Sequence, residues 1–140
     1  MQKLKPGSKL VVSGWGTTQN PEERQKKLRA VSVFYLPERT CPISREIPPD
    51  QLCAGVPSMD KDACKGDGGS PLVCQAVSGR WHVVGMVSWG IGCGEAERPA
   101  VYTNVHEYLD FIYSLIGPCS DGNWYKKDAG RNPSVSCPGE

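Results

Sequence analysis

The chain has 140 residues, 39% of them hydrophobic, enough for one domain with a core and too few for two. Lys and Arg number 16 against 15 Asp and Glu, and the sequence pI is about 7.5, so charge gives no reason to expect nucleic acid or an anionic membrane as a partner. The 7 cysteines are widely spaced and form no paired C-x-x-C ligand sets. They point to disulfides in an oxidising compartment, hence to a secreted protein, and not to a metal site. Residues Met1 to Gly7 hold no apolar stretch of signal-peptide length, and no run approaches the roughly 18 apolar residues of a membrane span. Secreted chemistry without a secretion signal gives the expectation that the sequence is a piece of something longer.

In chain order, Leu10-Val11-Val12 leads into Gly14-Trp15-Gly16, and Leu28 to Phe34 shows partial period-two alternation; both are expected strands. Between them Gln19 to Lys27 is charged and turn-like. Pro37, Pro42, Pro48 and Pro49 exclude a helix over 37–50, and Cys41 and Cys53 bracket that irregular surface loop. Pro71 to Cys74 and Trp81 to Trp89 are short β-rich runs punctuated by glycine, the pattern of an all-β sandwich or barrel, and Ala100 to Thr103 supplies a final strand. A helix is expected over Val105 to Leu115. There Tyr108, Phe111, Ile112, Leu115 and Ile116 make one apolar stripe, Asn104 is placed as N-cap, and Gly117-Pro118 stops it. Residues 117–140 turn rich in Gly, Pro, Ser and Asn and read as a Cys-containing tail or linker, leaving 1–116 as the folded domain.

The segment Asp62-Ala63-Cys64-Lys65-Gly66-Asp67-Gly68-Gly69-Ser70-Pro71 carries the functional signal. It resembles the active-site stretch of the trypsin and chymotrypsin family of serine proteases, in which an Asp is followed by the nucleophilic Ser and then Gly-Gly-Pro. Ser13-Gly14-Trp15-Gly16, Ser88-Trp89-Gly90 with Cys93, and Pro99 to Val105 agree with that family in order and spacing. The resemblance covers residues 8–116. It implies an all-β fold, the C-terminal Greek-key six-stranded barrel of the trypsin-like domain with its closing helix, and a missing first barrel.

Carried over residue by residue, the resemblance puts Gly68 where the nucleophile belongs. Acyl transfer needs a hydroxyl there, an imidazole within hydrogen-bond reach, and a carboxylate to orient that imidazole. The family's catalytic His and Asp belong to the missing barrel, and His82 and His106 are expected to be structural. Backbone N–H groups of Gly66 and Gly68 would retain a vestigial oxyanion hole supported by Asp67, whose family ion-pair partner is a new N-terminus that this chain lacks. Asp62 and Ala63 would lie at the floor of the substrate pocket. Ser88, Trp89 and Gly90 would form its peptide-binding edge, and Ala100 would intrude where the family generally has glycine.

The resemblance also implies disulfides Cys41–Cys53 and Cys64–Cys93. Cys74 loses its family partner, whose position is Leu10, and is expected to be a buried free thiol or to be captured by the tail; Cys119 and Cys137 remain as a pair. The function so implied is that of a non-catalytic serine protease homologue. It would act as a secreted binding or regulatory cofactor, with an active protease or its substrate as protein partner and no cofactor, metal, nucleic acid or membrane. Two alternatives stand beside it: an incomplete trypsin-like endopeptidase that in its intact lineage cuts after Arg or Lys, and a disulfide-stapled structural module.

Overall fold

The computed structural model describes residues 4–16, 26–41, 43, 46–56, 67–90 and 99–116. Six strands, β1 (Lys9–Gly14), β2 (Arg29–Leu36), β3 (Gln51–Gly55), β4 (Pro71–Gln75), β5 (Trp81–Gly90) and β6 (Ala100–Asn104), close into an antiparallel barrel in the order β1-β2-β3-β6-β5-β4. The chain leaves β3, passes to β4 between β1 and β5, and returns through β5 and β6 to lie against β3, a Greek-key path. Closure gives every strand a neighbour on each side over part of its length.

Alternation along the strands sends one set of side chains inward. Leu10 and Val12 from β1, Val33 from β2, Leu52 and Ala54 from β3, Leu72 and Cys74 from β4, Val84 from β5, and Ala100 and Tyr102 from β6 form the core. A bulge between Leu72 and Val73, and another between Val87 and Trp89, bend the pairing of β5 so that this ten-residue strand can follow both shorter neighbours. Gly79, at φ 83°, makes the turn that joins β4 to β5.

Strand β3 has no clear period-two signature because four successive residues, Leu52 to Gly55, are buried. Leu52 and Ala54 enter the core, while Cys53 on the other face bonds Cys41, with Cα atoms 6.2 Å apart. A sheet covered on both sides loses the alternation that would announce it. The expected disulfide thus ties the proline-rich segment, which contains a short 3₁₀ turn at Glu38–Thr40, to the barrel. Closing a loop of this length stabilises by about 3 kcal/mol.

Two expectations need correction. Of the two fates expected for Cys74, the free thiol is ruled out because the residue is disulfide-bonded; the other, capture by the tail, is compatible with that bond, and its partner, like the expected Cys64–Cys93 and Cys119–Cys137 pairs, lies outside the described residues. A substitution at Leu10 therefore does not leave the buried sulfur unpaired. The helix, expected as one element from Val105, starts as a 3₁₀ turn at Val105–Tyr108 and becomes α-helical only as α1 (Leu109–Ile116). Asn104 does cap it, accepting the His106 N–H at 3.3 Å. The apolar stripe is present but uncovered among the described residues: Phe111, Leu115 and Ile116 are 60%, 72% and 54% exposed.

Candidate active-site turn and peptide edge

Residues Asp67 to Ser70 form a tight turn at the start of β4, closed by Ser70 N–H donating to the Asp67 carbonyl at 2.9 Å. Gly69 sits at its third position with φ 80°, the left-handed value a type II turn demands there and that glycine adopts without a Cβ penalty. Two more main-chain bonds pin the turn to β5: Gly69 N–H to the Val87 carbonyl at 2.8 Å, and Val87 N–H to the Ser70 carbonyl at 2.9 Å. Gly68 is thereby held exposed at the apex, where a Cβ would meet nothing within 4 Å. The space for a side chain exists, and no hydroxyl occupies it.

Beneath the apex lies the buried carboxylate of Asp67. It accepts the Gly16 N–H at 2.7 Å, a charge-assisted bond that offsets part of the cost of burial. A Cβ on Gly14 would run into Asp67 Oδ1, and one on Gly16 would lie 2.5 Å from Asp67 Cγ. The Ser13-Gly14-Trp15-Gly16 motif is glycine-rich because the end of β1 must admit this carboxylate, a link between two motifs 51 residues apart that spacing alone does not reveal.

The residues expected to form a peptide-binding edge, Ser88, Trp89 and Gly90, are the end of β5. Pro71 at the start of β4 pairs with Met86 and the turn bonds Val87, so the pairing of β4 with β5 ends there. On the other side β5 stays paired with β6, Trp89 with Val101 and Gly90 with Ala100, with Ser88 left in the bulge. Ser88 and Gly90 are exposed. The Trp89 indole is half-buried and donates through Nε1 to Gln51 Oε1 at 3.3 Å. Ala100 is buried and its methyl joins the core cluster, flanked by Ala54 of β3 and Gly90 of β5.

The structure therefore brings Asp67, Gly68, Ser88, Trp89, Gly90 and Ala100 to one end of the barrel, while Asp62, Ala63 and Gly66 lie outside the described residues. Neither histidine is close to the apex along the chain. His82 pairs with Cys74 five residues down β5 from Val87, about 16 Å of extended strand. His106 follows Asn104, at the opposite end of β6 from Ala100. Gln51 was not singled out from the sequence, since a glutamine in a proline-flanked segment carries no pattern that marks it.

With the fold and this geometry in hand, comparison with known proteins places the chain in a family. The Trypsin family model matches residues 1–112. Transmembrane protease serine 11E of Mus musculus is 40% identical over 119 residues, covering 82% of this chain and 28% of the relative. Vitamin K-dependent protein C of Oryctolagus cuniculus is 39% identical over 120 residues, 81% of this chain and 26% of the relative. Transmembrane protease serine 9 of Rattus norvegicus is 39% identical over 110 residues, 76% of this chain and 10% of the relative. The chain belongs to the trypsin-like serine protease family. It spans less than a third of the length of each of these relatives.

Proposed function

We propose that this chain is a non-catalytic member of its family that binds a protein partner through the retained protease-like surface, in an extracellular setting. The observation that carries this reading is Gly68 at the open apex of an otherwise well-braced turn. Peptide hydrolysis by this family's chemistry begins with a hydroxyl at that point and a base beside it. Glycine supplies no hydroxyl, and the two histidines of the sequence lie elsewhere along the chain. The strand edge at Ser88 to Gly90 can still pair with an extended peptide from an active protease or its substrate, because that recognition uses main chain.

A second reading is that the chain is a piece of a longer trypsin-like endopeptidase lineage. The short coverage of relatives that are themselves named proteases favours it. Hydrolysis of an Arg or Lys ester, together with labelling by a serine-directed phosphonate, separates catalysis from binding. We expect no turnover and no label; turnover by the unaltered chain would overturn the non-catalytic reading. An upstream sequence carrying a His-Cys motif and an activation cleavage site would support the endopeptidase lineage instead.

A further inference from the structure

At the end of the barrel away from Gly68 a cavity of about 380 Å³ opens. Strand β6 relates the two places: Ala100 stands beside the peptide edge, and Asn104, about 13 Å further along the strand, lines the cavity. Its volume lies in the range of small-molecule sites. The floor is Leu52 and Val84, both core residues, and half-buried Tyr35, Leu36 and Ile47 form the walls.

The polar groups are unequal. Asn104 is engaged on both sides, its Nδ2 donating to the Pro49 carbonyl at 3.2 Å and its Oδ1 accepting from His106 N–H. Gln51 Oε1 accepts the Trp89 indole N–H. The exposed carboxylate of Glu38 makes no hydrogen bond or ion pair with the described residues, and the described lining holds no Lys or Arg and one histidine, His106. Apolar walls at Tyr35, Leu36 and Ile47 beside an uncommitted anion suit a ligand with an apolar body and a cationic end.

We infer that this cavity is a second binding site, for a hydrophobic amine whose body lies against Tyr35, Leu36 and Ile47 and whose ammonium faces Glu38. Both a free arylalkylamine and the lysine side chain of a protein carry this chemistry. Occupancy is reported at a distance, since Gln51 lines the cavity and holds the indole of Trp89. This inference is independent of whether the chain is catalytic.

The test uses the full chain labelled with 5-fluorotryptophan, the Trp89 resonance being assigned with Trp89→Phe. It is titrated with 1-naphthylmethylamine, with 1-naphthylmethanol as the neutral counterpart, and with N-acetyl-lysine methylamide. The amine should shift the Trp89 signal and bind about fivefold more tightly than the alcohol, the upper end for an exposed carboxylate. Glu38→Gln, at an exposed position, should erase that preference without unfolding the protein, and Ile47→Trp, which fills the wall, should weaken both ligands. Binding of the lysine amide as tight as that of the arylamine assigns the site to a protein side chain; binding of the arylamine alone assigns it to a small molecule. Equal binding of amine and alcohol, amine binding unaffected by Ile47→Trp, or no binding by any of the three overturns the inference.

Discussion

The underside of the turn at residues 67–70 and its apex have opposite characters. Underneath, Asp67 is buried, bonded to Gly16, and fitted so closely that neither Gly14 nor Gly16 has room for a Cβ. At the apex, one residue on, Gly68 faces open space. The turn is braced from below while its apex residue carries no side chain. Bracing and apex chemistry are therefore separable, because the bracing rests on main chain, glycine and one carboxylate and uses no side chain at residue 68.

Substitutions graded across this turn can break that contrast. Gly14→Ala should have the largest effect, since the new methyl collides with a buried carboxylate that cannot move without losing its hydrogen bond. We expect a loss of about 3 kcal/mol, the upper part of the overpacking range, read as a melting point lower by roughly 10 °C. An unchanged melting point would mean that Asp67 does not occupy the end of β1. Gly69→Ala should cost about 1–2 kcal/mol for forcing an L-residue to positive φ, measured by urea unfolding.

Gly68→Ser should change stability by less than about 0.5 kcal/mol, because the position is exposed and spacious. It should also yield no peptidase, since a hydroxyl without an adjacent base is a poor nucleophile and members of such a unit act together. Sustained turnover by this variant, removed by changing His82 or His106, would show that a base reaches the apex.

The smallest effect is expected away from the turn, where Tyr108 donates to Asp50 at 2.8 Å on the surface and its pKa is raised, first by that hydrogen bond and then by the carboxylate's charge. With a folded pKa above the unfolded one, the contribution of this pair is present below the ordinary tyrosine value near 10 and is lost as pH rises through the raised value. Asp50→Asn should lower the Tyr108 transition in an ultraviolet titration; no change would mean that the pair does not form in solution.

Much of the fold was legible in the residues. Hydrophobic alternation and glycine punctuation marked five of the six strands, and Asn104 marked the helix start, because each of these signals is local. The resemblance of the Asp62-to-Pro71 segment carried the architecture and drew attention to Gly68. Burial on both faces hid β3, and the cap bond to His106 together with the Tyr108–Asp50 bond accompanied a tighter first turn than a helical stripe predicts. The sequence alone determined that Gly68 cannot attack a peptide, since that follows from the absence of a side chain. Only the tertiary structure decided that Gly14 and Gly16 exist to admit Asp67, that Cys74 is bonded despite Leu10, and that Gln51 joins Trp89 to a cavity at the far end of the barrel. Those facts depend on distances between residues remote in the chain, which barrel closure sets and no local pattern encodes.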